Sequence, residues 1–91
     1  MADVVATLKI MPKGPETDLD KIEKEANKKI IDFGGQLAKK EIEPIGFGLK
    51  ALKIIFFVNE AKGGLDPLEE EVKKIKGVQS AEVVDVRRGL G

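Results

Sequence analysis

Residues 44–58, Pro44-Ile45-Gly46-Phe47-Gly48-Leu49-Lys50-Ala51-Leu52-Lys53-Ile54-Ile55-Phe56-Phe57-Val58, fall into two halves with different uses. The second half, Leu49 to Val58, is the most apolar and β-branched run of the chain and reads as a central strand. Leu52, Ile54, Phe56 and Val58 face one way on it, and Lys53, Ile55 and Phe57 the other. The first half is a turn in which Gly46 and Gly48 flank an aromatic. Just upstream, Gln36 to Ile45 is a more polar strand, with Leu37 and Ile42 set among Lys39, Lys40, Glu41 and Glu43. Its charges and Pro44 are typical of a sheet edge, where they discourage pairing with other chains.

Working outward, Asp3 to Met11 alternates, with Val4, Ala6, Leu8 and Ile10 on one face and Val5, Thr7, Lys9 and Met11 on the other. The second face is also apolar near its start, which places this strand inside the sheet. Met11-Pro12-Lys13-Gly14-Pro15 breaks it. A helix follows from Asp18 to Phe33, where Leu19, Ile22, Ala26, Ile30 and Phe33 recur at steps of three or four. Thr17 and Asp20 form an acidic near-match to a capping box at its start, and Gly34-Gly35 ends it. Asp20 with Lys24, Lys21 with Glu25 and Glu25 with Lys29 are spaced to pair along its outer face. After a loop at Asn59–Gly64, Asp66 is the expected N-cap and Pro67 the first residue of a second helix. Leu68, Val72 and Ile75 form its stripe, Glu69, Glu70 and Glu71 and then Lys73, Lys74 and Lys76 complement its dipole, and Gly77 closes it. Val78 to Val86 is a last strand, and Arg87-Arg88-Gly89-Leu90-Gly91 an exposed tail.

The order strand, helix, strand, strand, helix, strand makes two split βαβ halves. With right-handed crossovers these build a ferredoxin-like α+β sandwich, a four-stranded antiparallel sheet with both helices on one face. Its 91 residues read as a single domain, 1–91.

Composition narrows the function. Sixteen basic residues balance sixteen acidic ones, so no long-range field draws the chain to nucleic acid or to an anionic membrane. The absence of cysteine and histidine removes disulfides, thiolate metal sites, the commonest general base and the usual nucleophilic partnerships. No apolar run approaches a membrane span and the N-terminus lacks a basic signal region, so the chain reads as intact and cytoplasmic.

The ferredoxin-like fold hosts enzymes, RNA binders and regulatory domains alike, so function must come from sites. Asp18 and Asp20, and Glu69 to Glu71, lie in first helical turns and read as caps and dipole partners rather than as acid/base pairs or magnesium ligands. Gly46-Phe47-Gly48-Leu49-Lys50 superficially matches the aromatic signature of RNA-recognition motifs, but that signature needs outward aromatics on the first and third strands. The first strand has none, and Phe56 and Phe57 point to opposite faces. Phe47 itself is either a hydrophobic plug over the end of the sandwich or an exposed anchor at a protein interface. Arg87 and Arg88 are either a solvated tail or a cationic finger for a partner's phosphates or carboxylates.

The segment Ile42-Glu43-Pro44-Ile45-Gly46-Phe47-Gly48-Leu49-Lys50-Ala51-Leu52 resembles the Pro-Ile-Gly-Phe-Gly-(Ile/Leu)-Lys-x-Leu segment of the elongation factor 1-beta family, the guanine-nucleotide exchange factors of translation elongation factor 1-alpha. Leu65-Asp66-Pro67-Leu68 and Val78-Gln79-Ser80 extend the resemblance over essentially the whole chain. Its length is similar to the archaeal form or to the catalytic C-terminal domain of the eukaryotic one. The resemblance implies the same sandwich fold and an exchange factor that makes no covalent bond, binds no cofactor or metal of its own, and contacts no nucleic acid or membrane. Its implied partner-binding residues are Gly46, Phe47, Gly48 and Lys50 in the turn and Arg87 and Arg88 in the tail. In eukaryotic relatives the aromatic contacts a domain of the factor remote from its nucleotide, and a C-terminal lysine reaches the magnesium site. That lysine's position falls on Arg88, with Arg87 sharing the candidacy. Arginine keeps the charge in a bulkier, planar group. The rival readings are an RNA-binding module and a small-molecule regulatory or oligomerisation domain.

Overall fold

Alternating burial along Asp3–Pro12 makes this segment the strand β1, with Ala6, Leu8 and Ile10 fully buried on one face. In the computed structural model, which describes residues 3–59 and 64–88, the chain continues through α1 (Leu19–Phe33), β2 (Gln36–Gly46), β3 (Leu49–Asn59), α2 (Asp66–Lys73) and β4 (Val78–Arg88). The strands pair antiparallel throughout, in the order β2-β3-β1-β4. β1 and β3 are therefore central and β2 lies at an edge, as their side-chain patterns require. The loop expected at Asn59–Gly64 lies mostly, and the Gly89-Leu90-Gly91 segment wholly, outside the described residues.

One core joins the sheet to both helices. Ile22, Ala26 and Ile30 of α1 and Leu68 and Val72 of α2 pack with Leu8 and Ile10 of β1 and Leu52, Ile54, Phe56 and Val58 of β3. Leu19 and Phe33, at the ends of the α1 stripe, are partly buried against it. Both helices thus cover the same side of the sheet, and the other side is open. Phe56 belongs to the core, whereas Phe57 stands on the open face, 38% exposed.

Local chemistry departs from the sequence reading at the start of both helices and at the end of α2. Asp18, not Thr17, caps α1: its Oδ1 accepts from the backbone N–H of Asp20 at 3.1 Å and of Lys21 at 3.3 Å. Thr17 Oγ1 accepts from Gly14 N–H instead, tightening the preceding turn. In α2 the N-cap is Leu65, with no side-chain bond, and Asp66 is already helical. The helix stops at Lys73, before Gly77, because the chain must turn for Val78 to enter the sheet opposite Pro12. Lys13 N–H donates to the Gly77 carbonyl at 2.9 Å, fixing that turn, and Ile75 stays buried without being helical.

The surface ion pairs differ as well. None of the three pairs expected along α1 closes among the described residues; Lys29 reaches Glu71 of α2 at 3.6 Å, and Glu23 meets Lys40 of β2 at 2.6 Å. That bond holds the Lys40 ammonium above its ordinary range. Finally, β4 runs two residues past Val86, so Arg87 and Arg88 are strand residues rather than tail.

Candidate functional site

The β2–β3 hairpin closes at the pair Gly46 and Leu49, leaving Phe47 and Gly48 as a two-residue loop. Both have positive φ, 54° and 76°, as a type I′ hairpin turn requires. Glycine adopts that conformation without strain, but for a bulky residue such as Phe47 it costs about 1–2 kcal/mol. Phe47 is the only non-glycine with positive φ among the described residues, and its side chain is 98% exposed. It plugs nothing. At Gly46, φ is 99° and a Cβ would meet no atom within 4 Å, so glycine is there for its backbone and not for space.

Lys50 is exposed one step past the turn, on the helix-covered side. It lines a cleft of about 350 Å³ with Pro12, Pro15, Asp18 and Asp20. A Cβ on Gly48 would touch Pro15 at 3.4 Å, so the hairpin root rests on the β1–α1 connection.

The arginines lie at the other end of the sheet. Arg88 is opposite Val4 and Arg87 opposite Val5, and Val4 in turn pairs with Val58 of β3. From Leu49 to Val58 is nine strand steps, or about 30 Å. The structure therefore places the residues expected to touch a partner at two ends of a body 42 Å long, and does not gather them into one pocket. Arg87 Nε donates to Asp85 Oδ2 at 3.0 Å.

Between the ends, the open face is a charge-balanced surface. Glu43 sits 3.9 Å from Lys9 and 3.4 Å from Lys53. One row across the four strands runs Glu41, Lys53, Lys9, Glu82. Phe57 is its exposed aromatic, and β1 contributes Val5, Thr7, Lys9 and Met11 to the same side.

The helix carboxylates have partners within the chain. Glu70 is 3.9 Å from Lys73, and Glu71 is 3.0 Å from Lys74. Among the described residues no group of three or more His, Cys, Asp or Glu is arranged to hold a metal ion. The Lys74 hydrogen bond, with the Lys74 and Lys29 charges, holds the Glu71 carboxyl below its ordinary range. A lowered carboxyl contributes stability that is present above about pH 4.5, its ordinary value, and is lost as pH falls through its folded value. The Glu71 carboxyl resonance is accordingly expected to titrate at lower pH in the native chain than in Lys74→Ala, with only a small change in melting temperature because the pair is exposed. Glu69 behaves differently and reaches the backbone of β4, a contact no spacing in the sequence announces.

Together these features define a ferredoxin-like sandwich that displays a strained aromatic at one end of its sheet and two arginines at the other. Solved structures share the fold: the ACT domain from GTP pyrophosphokinase of Chlorobium tepidum superposes with a TM-score of 0.61 at 19% identity, over 90% of this chain and 99% of that one. The C-terminal domain of the MgtC protein from Mycobacterium tuberculosis gives 0.53 at 17% identity, over 98% and 88%. Residues 5–88 match the EF-1 guanine nucleotide exchange domain, and the chain belongs to the elongation factor 1-beta family. It is 47% identical over 88 residues to elongation factor 1-beta of Methanothermobacter thermautotrophicus, spanning 97% of this chain and 98% of the relative. To the Metallosphaera sedula protein of the same name it is 47% identical over 89 residues, spanning 97% of each. No helix among the described residues is long and apolar enough to cross a membrane.

Proposed function

We propose that this chain, acting as a single domain over residues 1–91, is the exchange factor of translation elongation factor 1-alpha, promoting GDP release and GTP loading in the cytoplasm. The observation that carries the reading is Phe47, held fully exposed in a backbone conformation unfavourable for its side chain. Strain of this kind persists where presentation of the group matters more than local stability. Family membership supplies the class of partner.

Exchange needs no covalent chemistry and no cofactor of the factor's own. A protein that binds the nucleotide-free GTPase more tightly than the nucleotide-bound one weakens nucleotide affinity by the same ratio, by linkage. Phe47, framed by Gly46 and Gly48 with Lys50 beside it, anchors the partner. At the far end Arg88, with Arg87 next to it, brings positive charge toward the partner's magnesium and phosphates, competing for electrostatic interactions that the metal otherwise makes. Nothing in the charge-balanced open face favours RNA over this reading.

The test is release of fluorescent GDP from purified elongation factor 1-alpha at fixed magnesium, with the chain substoichiometric. Acceleration through many turnovers is expected. A competent GTPase whose GDP release is unchanged overturns the proposal.

A further inference from the structure

The two edges of the sheet differ in what a second copy of the chain would meet there. Among the described residues, β2 and β4 each have a strand on one side only. Such an edge offers a row of backbone N–H and C=O groups to any strand that can lie against it, and like charges set directly opposite each other oppose that pairing. β2 is protected in this way. Wherever between Lys39 and Glu43 a two-fold axis is set for antiparallel pairing with its own copy, like charges meet: Lys40 with Lys40, Glu41 with Glu41 or, with the axis at Ile42, Glu41 with Glu43. Pro44 removes a donor as well.

β4 lacks this protection at one place. Val84 is left unpaired as a bulge between Val83, opposite Leu8, and Asp85, opposite Thr7, and past it the strand runs regularly to Arg88. Asp85 and Arg87, opposite Thr7 and Val5, share the open face, where they form their ion pair. Val86, opposite Ala6, takes the helix-covered side and is 53% exposed. Asp85-Val86-Arg87 is thus a charge palindrome. With a two-fold axis at Val86, each Asp85 lies opposite Arg87 of the second copy, and valine meets valine. With the axis one residue earlier Asp85 opposes Asp85, and one residue later Arg87 opposes Arg87, so charge leaves a single register in this stretch. Directly opposed side chains are about 4.5–5.5 Å apart at Cβ, closer than the ~6.6 Å between residues two apart in one strand. Pairing therefore completes a ring of four alternating charges. Val86 also lines a mainly apolar cleft of about 390 Å³ with Val4, Leu65 and Val83, and the same axis brings two such clefts side by side.

We propose that the Asp85–Arg88 edge of β4 is a self-recognition surface, which pairs antiparallel with the same edge of a second copy about a two-fold axis at Val86. The axis is perpendicular to the sheet, so the product is one continuous eight-stranded sheet with all four helices on the same side. Residues 84–88 face each other, far fewer than the roughly 20–30 residues a side of a stable interface, and the dimer is accordingly weak and reversible. This self-pairing goes beyond the exchange function proposed above and does not require it. Within that function it has a consequence: Arg87 cannot serve a second copy and the GTPase together.

Sedimentation of the full chain tests it. The native chain is expected to pass from one copy toward two as its concentration is raised to about 1 mM. Asp85→Arg and Arg87→Asp each set like charges opposite each other at both outer positions, and each variant alone is expected to stay single. Mixed in equal amounts, the two variants again place an acidic residue opposite a basic one at both positions, and the mixture is expected to associate as the native chain does. Isotope-filtered nuclear Overhauser contacts between Val86 of a labelled copy and Val86 of an unlabelled one are expected in the native dimer. A native chain that stays single at about 1 mM overturns the proposal. So does a dimer that both charge reversals leave intact, or one that mixing the two variants does not restore. If no form of the chain speeds GDP release, the exchange function fails, while sedimentation still decides whether β4 recognises itself.

Discussion

Phe47→Asn is expected to slow assisted GDP release by about thirtyfold or more and, in the same molecule, to raise thermal stability. The loss follows from removing the proposed interface anchor, for which about 2 kcal/mol or more is usual. The gain follows from the backbone. Phe47 sits at φ 54°, where asparagine is tolerated far better than an aromatic ring, and its exposed side chain contributes no core contact that would be missed. Each kcal/mol of strain released raises the melting temperature of a domain this size by about 4–8 °C. Phe47→Ala separates the two effects: it removes the ring but keeps a Cβ in the left-handed region, so exchange falls while the melting temperature stays put. Calorimetry and the GDP-release assay on the same preparations check both. A large fall in melting temperature would mean that the ring packs against the protein after all.

Replacing Arg87 and Arg88 together with alanine is expected to reduce exchange by about 10- to 100-fold, the range for charged groups desolvated against a partner. The melting temperature should move little. Both side chains are exposed, the Arg87–Asp85 pair is a surface one, and surface substitutions usually stay within about 0.5 kcal/mol. Arg88→Lys alone keeps the charge and should retain most of the activity, whereas a neutral residue of similar length, Arg88→Gln, should not. The double variant should also show a shallower fall of exchange rate with added salt, since screening acts on the charges it has lost. Unchanged exchange would remove the arginines from the mechanism.

The sheet was legible because its signal is periodic. Alternation in Asp3–Met11 and Leu49–Val58 correctly assigns the faces of both central strands, and the three- and four-residue steps of Leu19 to Phe33 assign the buried side of α1. Legibility ended where two local solutions had similar energy. Thr17 and Asp18 are both good caps, and only the backbone path decides whose oxygen reaches the helix N–H groups. Lys74-Ile75-Lys76 continues the helical period, yet tertiary pairing of Val78 with Pro12 bends the chain first. Arg87 and Arg88 look like tail because polar residues mark an edge strand and a terminus alike. The bulge at Val84 is invisible for a related reason: Val84-Asp85-Val86 alternates either way, so nothing in the pattern marks the extra residue. At the turn, Gly-Phe-Gly permits a ring tucked in or held out, and the hairpin geometry chooses the second.

In the proposed function, the placement of Phe47 and the arginines at opposite ends of one sheet makes the molecule a rigid bivalent ligand. Once Phe47 has docked, the arginines no longer search from solution but are presented at a high effective concentration set by the stiffness of about 30 Å of hydrogen-bonded strand. That advantage exists only for a GTPase conformation whose two receptor sites match the span. Lengthening both strands of the hairpin by two residues keeps every side chain on its face while moving Phe47 outward by about 7 Å. Such a variant is expected to retain both contacts individually and to lose their avidity, which in the proposed function makes the sheet a gauge of its partner's shape as well as a scaffold.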